Sequence, residues 1–398
     1  MLKRILAGGL AVVMACSLFT GCGSSGASSS AGALTAIPEE AKKDVVSYLT
    51  DGAITSEETV MTVNGGTRTK TGLIGEIPAS AYFYQWAYFA GYLAYYYQGK
   101  DATDTFSLDK EINGTTYKDY LLDNTRSSLL ASAIAAQKGQ EQKLKLSADA
   151  KKTIDNLAES ADENTRLYYA TTLKGMEFLE TCSDYNDQLK AALFCKGGEY
   201  EITKETLADY RKDNVMAAKH ILLLTTGKSD EEKAKIKKTI QGYLDKILAD
   251  KDPASAFEQY MNEKSEDTGL ATNPDGYTFL PGEMVPEFED AVSSLKVGEI
   301  DPKIVESSYG YHLIMRIEPD MDAIDDEDLK EKYESETYQK VLDDWSKDAK
   351  VETTQALDDL DMTKVYDKLT QLQSVIQAIA QAEAAAAQAA SSGSTVSE

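Results

Sequence analysis

The sequence predicts an α+β fold in which a central segment carrying a small sheet is inserted between mainly α-helical N- and C-terminal segments. Three observations carry this prediction. Helical patterning with one strand-and-turn element runs from Ile37 to about Asn214; Val215 to Pro319 reads β-α-α-β-α-β-β; two amphipathic stripes follow Pro319. The length suits two domains, each with enough chain for a core.

Residues 1–21 read as a leader to be removed from the fold. Lys3 and Arg4 precede an apolar run, Ile5 to Phe19, that is short for a bilayer and ends in Leu18-Phe19-Thr20-Gly21-Cys22. The pattern resembles a bacterial lipoprotein signal, which implies cleavage before Cys22 and a diacylglycerol on its thiol. Each buried lipid methylene contributes ~0.8 kcal/mol, so two or three chains hold a protein on the outer face of the cell membrane. Cys22 and the Gly/Ser/Ala stretch that follows it to residue 36 form a flexible linker. No other run of ~18 apolar residues occurs, and no transmembrane helix is expected.

The 37–214 segment is mainly helical with one small β element, a strand at Thr59 to Val63 that runs into an Asn64-Gly65 turn. Tyr82 to Tyr97 then carries large rings on nearly every face. Such a helix is expected in a core, the alternative being a chaperone-like surface that holds unfolded chains through its rings. Tyr117 to Lys138 and Ser147 to Glu159 follow as helices, with Ser147 as the N-cap of the second.

In the 215–319 segment, His220 lies on a first strand. Ser229-Asp230-Glu231-Glu232 opens a helix whose Ile236, Ile240, Tyr243, Leu244, Ile247 and Leu248 fall on one stripe. Pro253 starts a second helix and Val285 to Leu295 forms a third. Ile300 to Val305 and Tyr311 to Ile317 are strands bounded by Gly298 and Gly310. Residues 320–380 hold two helices, marked by Leu329, Tyr333, Val341 and Trp345 and by Val365, Leu369, Leu372, Ile376 and Ile379. Their seam is expected to dock on the N-terminal helices, with a coiled-coil homodimer as the alternative. Residues 381–398 form a low-complexity tail.

The formal net charge of −25 repels nucleic acid and anionic headgroups and suits a soluble exported domain. Of four cysteines, Cys16 leaves with the leader and Cys22 is the lipid site. Cys182 and Cys195 remain where a bridge between them is permitted, and the sequence leaves that pairing open. With no Cys-x-x-Cys and no Cys/His cluster, metal binding and thiol redox chemistry are not expected.

The chain has only two histidines, His220 and His312, each inside a short apolar run. Taken singly, each reads as an ordinary hydrogen-bonded strand residue, and Met284 and Phe288 as helix core. Together with their neighbours they carry more. Ala-Lys-His220-Ile-Leu, Lys264-Ser265-Glu266-Asp267, Gly282-Glu283-Met284-Val285-Pro286-Glu287-Phe288 and Tyr309-Gly310-Tyr311-His312-Leu-Ile resemble the parvulin family of peptidyl-prolyl cis/trans isomerases over roughly a hundred residues. With the lipoprotein signal, the Val63-Asn64-Gly65 element and helices on both sides, the whole chain looks like the PrsA-type foldase lipoproteins, relatives of the chaperone SurA.

The resemblance implies a small antiparallel sheet surrounded by helices, cofactor-free catalysis, His220, Asp267 and His312 as the polar catalytic group, and Met284, Phe288 and Phe279 as the wall that grips proline. It implies that Tyr309 joins the histidine network. The stretch Asn273-Pro274-Asp275-Gly276-Tyr277-Thr278-Phe279 departs from the family's Gly-Gly-x-Leu-Gly.

Such a site suits the reaction. The X-Pro bond prefers trans by only ~0.5 to 1 kcal/mol, yet rotation faces a barrier near ~20 kcal/mol. A water-poor cup favours the less dipolar twisted amide, and hydrogen bonds rather than covalent attack orient the carbonyl. The expected function is a membrane-anchored, extracytoplasmic isomerase and foldase acting on unfolded exported proteins with X-Pro bonds. The alternative is a holdase whose parvulin domain is weak or inactive.

Overall fold

The computed structural model describes residues 34–69, 72–98, 106–112 and 114–393. The leader at 1–21, Cys22, most of the linker and the last five residues of the tail lie outside the described residues. The chain divides into two compact units. Among the described residues a central unit spans Phe194–Thr337, and an outer unit combines residues 34–193 with the chain from Tyr338.

The outer unit starts with α1 (Glu39–Lys43) and α2 (Val45–Leu49), the latter capped by Asp44, whose carboxylate accepts from the Ser47 N–H. Strand β1 (Thr59–Thr69) pairs antiparallel with β2 (Gly72–Pro78). The turn expected at Asn64-Gly65 is instead an irregularity inside β1. Both residues take positive φ, 55° and 72°, and the strand continues as its register shifts between Thr62 and Thr67.

The side chain of Asn64 explains why the strand does not reverse there. Its Nδ2 donates to Gln137 Oε1 at 3.0 Å and its Oδ1 accepts from the Lys350 N–H at 3.1 Å, so two distant segments hold it.

Helix α3 (Ala79–Gln98) divides its rings between two environments. Tyr82, Phe83 and Trp86 are fully buried, whereas Tyr88, Tyr92 and Tyr95 are 49%, 47% and 70% exposed. One face is core and the other is not, because spacings of three and four residues keep Tyr88, Tyr92 and Tyr95 on a single side. A two-residue hairpin, β3 (Glu111–Ile112) and β4 (Thr115–Thr116), leads into α4 (Tyr117–Glu141). Then come α5 (Ala148–Asp155), capped by Ser147, and α6 (Leu157–Ser160), α7 (Glu163–Tyr168) and α8 (Leu173–Phe194). No disulfide joins Cys182 and Cys195. Cys182 is buried within α8, where burial pushes its thiol up to about 12. Cys195 is exposed just past the helix end, and the intervening turns place the two roughly 20 Å apart, beyond the ~4.4–6.8 Å Cα separation of a bridge.

The central unit opens with α9 (Lys204–Asn214) and β5 (Met216–Leu224). Helices α10 (Asp230–Leu248) and α11 (Pro253–Lys264) follow, the first started by a capping box between Ser229 and Glu232. A 3-10 turn (Thr268–Ala271), β6 (Tyr277–Phe279), α12 (Pro286–Ser294), β7 (Val305–Glu306) and β8 (Gly310–Arg316) complete the layer. The antiparallel sheet has the order β6-β5-β8-β7. The strand expected from Ile300 is mostly irregular, with one bridge from Ile300 to Met315 before β7. Pro302 in that run has no N–H to give a ladder.

Both faces of the sheet are covered. Ile221, Leu223, Tyr311, Leu313 and Met315 pack with Ile240, Leu244 and Ile247 of α10 and with Phe257 and Met261 of α11. Leu248, expected on that stripe, is 44% exposed. The opposite face carries Ala218 and Ile314 against Phe279, Phe288, Val292 and Leu295. The unit is wider than 215–319. Val215, Leu280 and Leu329 form a third cluster with Leu207, Tyr210, Met321 and Ile324, and Arg211 donates to the carbonyls of Met321 and Ile324.

The chain then runs through α13 (Asp326–Ser346), β9 (Val351–Thr353), α14 (Gln355–Asp358) and α15 (Met362–Gly393). Strand β9 adds to β1 with Met61 opposite Thr353 and Val63 opposite Val351. In α15, Val365, Leu369, Leu372 and Ile376 are buried. Lys368 Nζ donates to the Tyr48 carbonyl at 2.9 Å, and Gln373 Nε2 donates to that of Tyr168 at 2.9 Å. N-terminal elements of the same chain therefore cover the α15 stripe, whereas Leu329 of α13, expected on the same seam, packs with Val215 and Leu280. Among the described residues no helix is long and apolar enough to cross a membrane.

Candidate active site

Strand register brings the two histidines together. In the ladder between β5 and β8, His220 lies opposite Ile314 and His312 opposite Leu222, so both side chains leave the same face as diagonal neighbours. Their rings stack 5.4 Å apart at an interplanar angle of 15°. Gly310 permits this approach of the strands, because a Cβ there would stand 2.1 Å from the Leu223 carbonyl oxygen.

Phe288, projecting from α12, meets both imidazoles edge-on, 5.3 Å from His220 and 5.9 Å from His312. Phe279 on β6 is 6.0 Å from Phe288. Met284 and Val285 are partly buried against this cluster. The loop carrying Met284 is fixed by the buried Glu289, whose Oε1 accepts from the N–H groups of Gly282 at 2.6 Å and Met284 at 2.9 Å. His220, His312, Met284, Phe288 and Phe279 thus share one side of the sheet.

Asp267 sits just before the 3-10 turn. Its Oδ2 is 3.0 Å from His220 Nε2 and its Oδ1 accepts from the Gly269 N–H at 3.0 Å. His220 Nδ1 is 3.2 Å from His312 Nδ1, and His312 Nε2 is 2.7 Å from Ser307 Oγ. A continuous hydrogen-bonded line therefore runs from Asp267 through both rings to Ser307.

Tyr309 is not in that line. It is 51% exposed, and its backbone N–H donates to Ser307 Oγ at 3.1 Å, so the hydroxyl beside His312 belongs to Ser307. Tyr309 lies in the tight turn between β7 and β8, where its carbonyl accepts from the Thr225 N–H at 3.0 Å and its ring stays exposed. Two further residues escaped the sequence reading. Tyr277 donates its hydroxyl to Asp267 Oδ2 at 2.6 Å and sets its ring 5.5 Å from that of His220. The departure from the Gly-Gly-x-Leu-Gly pattern marked that loop, but only the fold shows where the phenol goes. Glu289 was hidden because a glutamate after a phenylalanine on a helix is ordinarily a solvated residue.

The electrostatics follow from burial. Removal from water lowers the affinity of both imidazoles for a second proton, against the opposing pull of Asp267; for His312, with His220 beside it, the value falls to about 4. Burial pushes the Asp267 carboxyl up, yet the hydrogen bonds from Tyr277, from the Gly269 N–H and from His220 together hold it below the usual carboxylate range. Burial and the neighbouring carboxylate push the Tyr277 phenol up to about 12. At neutral pH the site thus contains one carboxylate, two neutral imidazoles and a protonated phenol. Among the described residues no group of three or more His, Cys, Asp or Glu side chains is placed to hold a metal ion.

Residues 220–318 match the family model of the rotamase, or PPIC-type PPIase, domain. The foldase protein PrsA of Geobacillus sp. (strain WCH70) is 35% identical over 158 residues, which cover 39% of this chain and 51% of that protein. Foldase protein PrsA 2 of Bacillus anthracis is 30% identical over 222 residues, covering 54% of this chain and 69% of the relative. The crystal structure of the peptidylprolyl isomerase PrsA from Bacillus anthracis is 18% identical, covering 64% of this chain and 96% of that one, with a TM-score of 0.27. The chain spans about half the length, or less, of the first curated relatives it matches.

Proposed function

The chain belongs to the PrsA foldase family, and from that premise we propose that it is a peptidyl-prolyl cis/trans isomerase that assists folding of exported proteins from a lipid anchor at Cys22. The observation that carries the reading is the stacked pair His220 and His312, with Phe288 against both rings and Asp267 at the end of their hydrogen-bonded line.

In this reading Met284, Phe288 and Phe279 receive the prolyl ring of a client and exclude water from the imide. A planar amide has the larger dipole, so its loss of hydration raises the ground state relative to the twisted state. The neutral imidazoles and Ser307 present polar atoms at the pocket floor that orient the amide without bonding to it. No covalent step is required. Asp267, already accepting three hydrogen bonds, is a poor nucleophile and a good fixed acceptor. Tyr309, exposed at the rim, is assigned to contact with the client outside the pocket.

The anchor rests on sequence. Leu18-Phe19-Thr20-Gly21-Cys22 and the small-residue linker support attachment at the outer face of the cell membrane, with the folded units held off the bilayer. The test combines both parts. The full chain should accelerate cis/trans exchange in a proline peptide, and Phe288→Ala should abolish the acceleration. In cells, Cys22→Ser should release the protein from the membrane fraction. A folded wild-type chain that leaves the uncatalysed rate unchanged would remove the enzymatic assignment.

A further inference from the structure

We propose that Tyr277 is the positioning residue of this pocket, fixing Asp267 as a permanent anionic acceptor and so setting the order of protons through both histidines. The catalytic consequence rests on the isomerase reading; the proton order does not.

The order follows from donor and acceptor chemistry. Asp267 Oδ2 receives the Tyr277 hydroxyl at 2.6 Å and faces His220 Nε2 at 3.0 Å. A carboxylate only accepts, so Nε2 of His220 carries the proton and its Nδ1 is bare. His312 Nδ1, 3.2 Å away, must then be the donor, which leaves His312 Nε2 bare to accept from the Ser307 hydroxyl at 2.7 Å. Every proton in the line points toward Asp267, and the opposite order would set a bare His220 Nε2 against the carboxylate, two acceptors facing one another. Ser307 closes the line, because its oxygen also accepts from the Tyr309 N–H.

Tyr277 holds the end from which this order propagates. The titratable groups that face Asp267 are His220 from β5, Tyr277 from β6 and, one ring further, His312 from β8. The phenol fits only because residue 269 is glycine. A Cβ at Gly269 would lie 2.1 Å from the Tyr277 hydroxyl oxygen, although 3.3 Å from the adjacent ring carbon. Gly269 and Tyr277 are therefore a matched pair, one providing the space that the other's oxygen fills.

Because the chain has only two histidines, imidazole NMR of the full protein reports on this site alone. Expected in the wild type are the Nε2–H tautomer for His220 and the Nδ1–H tautomer for His312. Tyr277→Phe keeps the ring and removes the oxygen. It should move the acid step in the imidazole spectra to higher pH and lower kcat/KM about tenfold, the size of one hydrogen bond to a charged group, with the loss in kcat rather than KM.

Gly269→Ala should reproduce these changes by displacing the phenol, and should add little in the Tyr277→Phe background, where the clashing oxygen is gone. Unchanged tautomers and acid step in folded Tyr277→Phe would overturn the proposal, as would additive effects of the two substitutions. If the rings respond as described but the wild type does not isomerise proline peptides, the enzymatic reading fails and the positioning role stands. Isomerisation with unresponsive rings has the opposite meaning.

Discussion

The pocket in the central unit and the Asn64 bulge in the outer unit are both held by side-chain hydrogen bonds, yet they do different work. In the pocket the joined residues lie at most 92 positions apart, and the two rings at its centre are buried. At the bulge an exposed asparagine reaches the backbone of Lys350, 286 positions away. The buried line has one low-energy proton arrangement, because unpaired donors inside a protein are expensive. The bulge has one side-chain partner, Gln137, and one backbone partner, Lys350, and only needs those distant segments to meet it. Burial thus turns one network into chemistry, and exposure leaves the other as a clasp.

Separate probes can break or sharpen this contrast. Trp86 and Trp345, the chain's two tryptophans, both lie in the outer unit, so fluorescence follows that unit while the imidazoles follow the central one. The largest effect is expected from Phe288→Ala. It removes a core ring that touches both histidines, at a cost of about 3–5 kcal/mol in the central unit, and tryptophan fluorescence in urea should place the outer unit's midpoint where the wild type has it.

Acid comes next. The unfolded chain protonates His312 near the ordinary imidazole value of 6.5, whereas the folded chain resists to about 4. Between these values the unfolded state binds the extra proton. Stability of the central unit is therefore full above pH 6.5 and declines as pH falls toward 4, by up to about 3 kcal/mol. Denaturant titrations read through the imidazole resonances at pH 7 and pH 4.5 measure it; equal midpoints would contradict a buried neutral pair.

Asn64→Ala should follow, destabilising the outer unit by about 1–3 kcal/mol while the isomerisation rate stays at the wild-type value. Urea unfolding read by tryptophan fluorescence, beside a proline-peptide assay, separates the two effects. A fall in rate would show that the clasp and the pocket are coupled. Smallest of all, Leu248→Ala should change stability by less than about 0.5 kcal/mol in thermal unfolding, since that side chain is 44% exposed although it continues an apolar stripe.

How much of this was legible varied with the range of the interactions. The α10 capping box, the strand bearing His220 and the helix bearing Phe288 follow from neighbours a few residues apart, and the sequence shows them. The convergence of His220, Asp267, His312 and Phe288 was legible through the resemblance of four short segments rather than through periodicity. Tyr277, Ser307 and Glu289 were not. Each is a common polar residue whose role depends on which backbone stands opposite, and the phenol reaches Asp267 only because the 3-10 turn presents a bare Gly269.

The same division holds for the whole chain. Sequence by itself determined the α+β class and the order of the central elements, since periods of two and 3.6 residues are local properties of the backbone. Tertiary structure alone decided that β9 would join β1, that Asn64 would sit in a bulge rather than end a strand, and that Ser307 rather than Tyr309 would meet His312. Those outcomes depend on which distant donors and acceptors lose water together, and a one-dimensional pattern does not record that pairing.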